Sequence, residues 1–404
     1  MLEDVLNKSR IAIVSVGYNR LKSQKRQLEA LVSADYSQYD SVPIVISIDC
    51  SGDEELYDYV RNFKWPHGDK YVLIREKRLG LKEHILACGD LTQYFKGIIL
   101  LEDDLYVSKD FYNYTIQMNN EYGDCDKICS IALYSNEMNG YCWLPLTRLH
   151  SAADVFACQA VSTWGEFWNT RMWTEFREWL DKTDIQWDEL DMPQQIKDWT
   201  KAWSKFFDAY MVKEDKYSIF PYTSLTTNFS DAGEHGDANN TIVQVSLQYG
   251  NKQYQTLPFN QLVKYDIYSN NIGLADALGL KIDDVCLDLY GVRPNDFKKR
   301  YYLSVRQLPY KVVNSFGLFM RPQELNVIEK IQGNDIFLYD TTISSSKPKT
   351  GGKVNQMLYY QHGFNFKFLP YVCFGSVSFL VRKIYKRLKK KVFRSIAVRR
   401  NFLP

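Results

Sequence analysis

Gly97-Ile-Ile-Leu-Leu-Glu-Asp-Asp104 is the stretch on which the fold turns. An uncharged aliphatic run that breaks off into three acids reads as a strand buried on both faces, its carboxyl end at a polar edge. Three similar runs precede it: Ile11 to Val16, Val42 to Asp49, and Tyr71 to Ile74. Helical stretches are predicted between them, from about Ser23 to Val32, from the acidic start Ser51-Gly-Asp-Glu-Glu55 onward, and from Leu81 to Phe95. Strands alternating with helices predict an α/β fold built on a mostly parallel, Rossmann-like central sheet. Ligands of such sheets lie beyond the carboxyl ends of the strands, so the residues just past each run are where chemistry is expected.

Four strand ends supply a coherent set. Gly17-Tyr-Asn-Arg20 follows the first run and Asp49-Cys-Ser-Gly52 the second; Arg78, Gly80, Leu81 and Lys82 follow the third, and Glu102, Asp103 and Asp104 the fourth. Clustered carboxylates suit a hard divalent cation, Mn²⁺ or Mg²⁺, of the kind that bridges to a substrate phosphate. Arg20, Arg78 and Lys82 add positive charge for a diphosphate. Asp49 is an acceptor for a ribose hydroxyl or a base edge, with capping of the next helix as its competing role. Any one of these residues alone is an ordinary surface group. Together they point to a nucleoside-diphosphate ligand.

The 404 residues are 45% hydrophobic and 24% charged, an ordinary globular composition with a formal net charge of +2. That balance argues against a general nucleic-acid binder. The charge is uneven, however: ten cations and no acid lie between Arg382 and Arg400. Eight cysteines without a CxxC pair need no disulfide framework, and Cys125 and Cys129, with no further ligand pair to complete a metal site, read better as buried free thiols, in keeping with a reducing cytoplasm. No apolar leader is visible in the first ten residues, and the longest uncharged apolar stretch, Phe368 to Val381, is too short to span a bilayer.

Beyond a further strand predicted from Ile128 to Ser135, the chain is rich in aromatics, and seven of nine tryptophans lie between Trp164 and Trp203. A Gly/Asn/Asp-rich patch from Ser230 to Asn240 suggests a boundary. The organisation expected is therefore a catalytic domain over 1–240, a smaller α/β region over 241–367 with strands near Tyr301–Val305 and Asp335–Tyr339, and a tail over 368–404. In the tail Ile384, Leu388 and Val392 recur every four residues among the cations. A basic amphipathic helix of this kind lies on anionic membranes, which predicts a cytoplasmic protein peripheral on the inner face of the cell membrane.

Ile11 to Arg20, Val45-Ile-Ser-Ile-Asp-Cys-Ser-Gly52 and Ile99-Leu-Leu-Glu-Asp-Asp-Leu105 with Asp110-Phe111 resemble the GT-A fold glycosyltransferases. The resemblance is to N-acetylglucosaminyltransferase I and its bacterial capsule and lipopolysaccharide relatives, where EDD replaces the usual DxD. It covers roughly residues 10–240 and is strongest up to 111. It implies that Asp104 ligates Mn²⁺ on the donor diphosphate, that Glu102 and Asp103 contact the donor sugar and ribose, and that Arg20 and Asp49 line the nucleotide pocket. Arg78-Leu-Gly-Leu-Lys-Glu-His84 is closer to the bacterial relatives. Asp208, in Phe206-Phe-Asp-Ala-Tyr-Met211, falls where the family carries a general base, although the second acid and following arginine of the animal motif are missing. The family likeness also implies that His235, in Gly233-Glu-His-Gly236, completes the metal site, and that Trp164 and Gly165 touch the donor sugar.

The tryptophans allow two readings. Rings such as Trp164 or Trp168 can stack on a sugar, or the i,i+4 pairs Trp164/Trp168 and Trp199/Trp203 can fill helix-packing positions. The expected function is transfer of a sugar from a nucleotide-sugar to a glycan or lipid-linked oligosaccharide hydroxyl in surface polysaccharide synthesis, metal-dependent and inverting. A sugar nucleotidylyltransferase is the rival enzyme, but it needs a glycine-rich phosphate loop after the first strand, and Val16-Gly-Tyr-Asn-Arg20 has one glycine. The third reading is a non-catalytic glycan-binding protein of the same fold.

Overall fold

The computed structural model describes residues 7–200, 202–231, 243–294 and 298–360, together with Val381 and Tyr385. The chain divides into one compact unit over residues 1–353 and a second over 354–404. His235 and nearly all of the 368–404 tail lie outside the described residues. Among the described residues no helix is long and apolar enough to cross a membrane.

The first half alternates as its hydrophobic runs predict. β1 (Asn7–Gly17) leads to α1 (Leu21–Val32), β2 (Ile44–Ile48) to α2 (Glu54–Asn62), and β3 (Lys70–Ile74) to α3 (Leu81–Gly89). β4 (Phe95–Glu102) and the short β5 (Leu105–Val107) follow, then α4 (Phe111–Tyr122). Next come β6 (Ile128–Ala132), β7 (Val155–Cys158), β8 (Glu166–Asn169), α5 (Thr170–Lys182), α6 (Gln194–Lys197) and α7 (Ser204–Glu214). β9 (Tyr217–Pro221), β10 (Thr226–Asn228) and β11 (Lys264–Tyr265) complete the strands of the first architecture.

Nine strands make one sheet in the order β11-β7-β9-β6-β8-β4-β1-β2-β3. It is mostly parallel: β3, β2, β1 and β4 run together, as do β6 and β9, while β8 runs against both its neighbours. Val14 of β1 sits between Val45 of β2 and Leu100 of β4, all three fully or almost fully buried. The central strands are uncharged because helices cover both faces and leave a charge no route to water. The edge strand β11 comes from beyond residue 240, and a separate sheet follows, ordered β12 (Val285–Asp288), β13 (Tyr301–Ser304), β15 (Ile336–Ser344), β14 (Tyr310–Phe316). Tyr302, Phe337 and Tyr339 form its own small core.

Two sequence expectations need correction. The helix predicted from Leu81 to Phe95 stops at Gly89, tightens to a 3-10 turn over Asp90–Gln93, and gives Phe95 to β4. Trp173 is the cause: its Nε1 donates to the Asp90 carboxylate at 2.8 Å while its ring covers Gly89. The pair Trp164/Trp168 is not helical either; Trp168 lies in β8 and is fully buried against Trp173 and Trp203. A Cβ at Gly89 would overlap the Trp173 indole, itself 2% exposed. Gly89→Ala is therefore expected to lower stability by about 1–3 kcal/mol through overpacking, read as a lower urea midpoint at unchanged slope.

Candidate active site

The carboxyl ends of β1, β2 and β4 meet at one edge of the sheet, and the acidic triplet stands there. β4 ends at Glu102, and Asp103 and Asp104 form the turn into β5. That turn is pinned from two sides. β5 pairs antiparallel with β10, and the Phe229 N–H donates to the Asp104 carbonyl at 2.9 Å. From the other side Arg20, just ahead of α1, reaches across: its Nε donates to Asp103 at 3.2 Å, its Nη1 to Asp104 at 3.1 Å, and its Nη2 also pairs with Asp103. Nearby, Asp231 accepts from Ser23 Oγ at 2.7 Å and pairs with Arg26.

Crowding acids at a buried edge makes them reluctant to ionise. Burial first, then the carboxylates of Asp104 and Asp103, push Glu102 up to about 8 against the pull of Arg20. Asp103, 3% exposed, is pushed up by burial to about 6, with Arg20 opposing. Asp104 differs in its bonding. Its Oδ2 takes the Arg20 guanidinium, whereas its buried Oδ1 has no hydrogen-bond partner. A buried carboxylate oxygen without a partner is costly unless a ligand takes it.

Asp49, past β2, does not cap the next helix; Asp53 does that, accepting from the Leu56 N–H at 3.0 Å. Asp49 instead accepts from the N–H groups of Cys50, Leu79 and Gly80, each at 2.9 Å. Burial works to raise its pKa, but the three N–H groups win and hold it below the ordinary value. The carboxylate thereby fixes the loop from which α3 starts, and it keeps lone pairs for a further donor. On that loop Arg78 stacks over the Tyr18 ring, 4.6 Å from its centroid. Lys82, at the head of α3, lies 4.4 Å from the Phe206 ring centroid and 3.5 Å from Glu83.

Because β8 runs antiparallel to β4, with Glu166 opposite Leu100, the Ser162–Gly165 loop arrives at this same edge. Gly165 has φ +108°, and a Cβ there would press on Thr226 of β10 and on Leu133. The Trp164 carbonyl accepts from Thr226 Oγ1 at 2.5 Å, and its ring meets Tyr134 edge-on at 4.7 Å. Asp208 lies on α7, 4% exposed, accepting from the Val161 N–H at 3.0 Å. Burial pushes it up to about 8 with that one bond opposing, so it is poised to exchange a proton near neutrality.

The structure thus joins Arg20 to Asp103 and Asp104, Asp49 to the loop carrying Arg78, Lys82 to α7, and Asp208 to the loop leading into Trp164. No direct bond links Asp208 to the acids. Sequence reading missed Glu166, 1% exposed, which accepts from the Ser162 N–H at 2.9 Å and is driven well above the carboxylate range by burial. An acid opening the otherwise apolar Glu166-Phe-Trp run was the available signal. Among the described residues no three His, Cys, Asp or Glu side chains converge as a metal cage. The free oxygen of Asp104 fits the different case of one or two protein ligands, with the other positions left to phosphate and water.

No family model matches the chain, and no curated protein matches it. Among solved structures it is similar to TarS 1–349 of S. aureus, at 13% identity and a TM-score of 0.35 over 54% of this chain and 59% of that one. It is also similar to GalNAc-T7, solved with UDP, GalNAc and Mn²⁺, at 14% identity and a TM-score of 0.36 over 54% of this chain and 43% of that one. A third is the mannosyltransferase PcManGT of Pyrobaculum calidifontis, solved with GDP-Man and Mn²⁺, at 10% identity and a TM-score of 0.30 over 42% and 46%. The chain spans less than two thirds of the length of each.

Proposed function

We propose that this protein is a GT-A glycosyltransferase that transfers a sugar from a nucleoside-diphosphate-sugar to a hydroxyl of a glycan or lipid-linked oligosaccharide, with inversion, in surface polysaccharide synthesis. The observation that carries this reading is the buried, partnerless Oδ1 of Asp104 at the carboxyl edge of β4, held in place by Arg20. Asp104 would hold Mn²⁺ or Mg²⁺. Such an ion, when bound, offsets the charge that gathers on a departing diphosphate. Arg20 orients Asp104 and neutralises Asp103, so the turn keeps its shape with or without a ligand. Asp49 offers its remaining lone pairs to a ribose hydroxyl, and Arg78 and Lys82 place positive charge on the same side. Trp164 and Gly165 face the donor sugar in this reading, and Asp208 takes the proton of the acceptor hydroxyl. His235 is the further metal ligand proposed. The 368–404 tail brings the enzyme to an anionic membrane surface at the cytoplasmic face, where a lipid-linked acceptor would be met.

Calorimetric titration with UDP, GDP and CDP, each with and without Mn²⁺, tests the reading. One nucleotide is expected to bind, and at least tenfold more tightly with the metal, which is about 1.4 kcal/mol. If none of the three binds in either condition, the protein is not a nucleotide-sugar enzyme.

A further inference from the structure

Next to the acidic edge, past the carboxyl ends of β6 and β9, lies a cleft of about 360 Å³ lined by Ser135, Glu137, Thr147, Arg148, His150 and Tyr222, among others. Its floor is built in advance. His150 stacks on Tyr222 at 4.2 Å between centroids, the Arg148 guanidinium lies 4.5 Å from the Phe156 centroid, and Arg148 Nη1 donates to the Asn136 carbonyl at 2.7 Å. Thr147 Oγ1 is buried with no partner. Tyr134, one residue before the cleft begins, is the residue that packs against Trp164.

One rim of the cleft extends into a hairpin. The Leu146 N–H donates to the Glu137 carbonyl at 2.8 Å, Met138 bridges Pro145, and the Asn139 N–H donates to the Leu144 carbonyl at 2.8 Å. The tip is closed by the Trp143 N–H on the Asn139 carbonyl, again at 2.8 Å. Trp143 stands there 58% exposed with φ +60°, a left-handed conformation that costs a bulky residue free energy and suits glycine or asparagine. At no more than about 3.4 Å per residue, the Trp143 backbone stands within roughly 10 Å of the Glu137–Leu146 pair. A braced hairpin that keeps a strained, exposed indole beside a polar cleft is not explained by packing, since the indole packs little.

We infer that Trp143 and this cleft bind a saccharide chain, Trp143 stacking on the apolar face of one ring while the cleft takes the hydroxyls of the next. The chemistry matches. Sugar hydroxyls need donors and acceptors together, here Arg148, Thr147 and Glu137, and the C–H face of a pyranose needs a flat aromatic partner. The assignment deepens the proposed function, on which it rests, by giving the acceptor glycan its place: an extended oligosaccharide, at least two rings long, rather than a single sugar.

The test uses the whole chain labelled with 5-fluorotryptophan, the Trp143 resonance being assigned as the one lost in Trp143→Phe. Cellotriose, maltotriose, α-1,6-mannotriose and triacetylchitotriose are titrated, and UDP, GDP and CDP with Mn²⁺ are titrated into the same samples. At least one trisaccharide is expected to move the Trp143 resonance saturably. Trp143→Asn, which suits the left-handed backbone and should unfold no earlier than the parent, is expected to weaken that trisaccharide at least about tenfold, while Trp143→Phe keeps most of the affinity. A Trp143 resonance that no trisaccharide moves, or undiminished affinity in Trp143→Asn, overturns the inference. Nucleotide binding with a silent Trp143 defeats this inference alone; saccharide binding with no nucleotide binding defeats the transferase reading and leaves a glycan-binding protein.

Discussion

Asp104→Ala is expected to abolish metal-dependent nucleotide binding and to lower sugar transfer by at least about a hundredfold. The substitution removes the one carboxylate oxygen in the triplet that is buried and unclaimed, and the fold should survive it. Arg20 keeps two contacts to Asp103, and the Asp104 carbonyl still receives the Phe229 N–H. Loss of a like charge beside Glu102 and Asp103 also relieves repulsion, so the thermal midpoint should hold or rise. Calorimetry with Mn²⁺ and a melting curve on one preparation separate the two effects. A variant that binds nucleotide and metal as the parent does would remove Asp104 from the site.

Asp208→Asn should cut kcat by about 10²–10⁴ while leaving donor affinity within a few fold, the range expected when a general base is removed. Two pH signatures accompany it. The parent rate is expected to climb with pH through about 8, because a base must first lose its proton, and that limb should vanish in the variant. Stability moves the opposite way. The native carboxyl holds its proton to about 8 whereas the unfolded chain releases it near an ordinary value of about 3.9. The unfolded state therefore binds fewer protons between those values, and the parent loses stability as pH rises from about 4 to about 8. Asparagine keeps an acceptor for the Val161 N–H and carries no charge, so the variant should lose less over that window. Full kcat in Asp208→Asn, with only the stability effect present, would make Asp208 a buried structural acid.

Much of this arrangement can be read from the chain because strands buried on both faces exclude charge. Ile11 to Val16 and Gly97 to Leu101 carry none, so the acids and arginines that follow mark the sheet edge by contrast. What the sequence hid are properties set by distant neighbours. Asp49 had helix capping as its competing role, yet its partners at Leu79 and Gly80 lie thirty residues on. The end of α3 depends on Trp173, more than eighty residues away. The tryptophan crowd between 164 and 203 drew attention to rings such as Trp168, Trp173 and Trp203 that are core, while the most exposed of the described tryptophans, Trp143, stands apart from it and declares itself through its exposure and its backbone angle. β11 is two residues long, too short for any periodicity to reveal.

The reversed strand β8 bears on how such a protein changes over generations. It divides the sheet into a four-stranded block, β4-β1-β2-β3, and a second block around β6 and β9, with no direct ladder between the two. Substitutions in the hairpin that carries Trp143 touch the second block's loops and leave the register of β1, β2 and β4 as it was, and effects at well-separated positions are close to additive. Lineages descended from one such ancestor can diverge at the cleft beside Trp143 while inheriting Asp49, Arg20 and Asp104 unaltered. The tie between the halves is the β5–β10 pair, which joins the chain just past β9 to the Asp103–Asp104 turn.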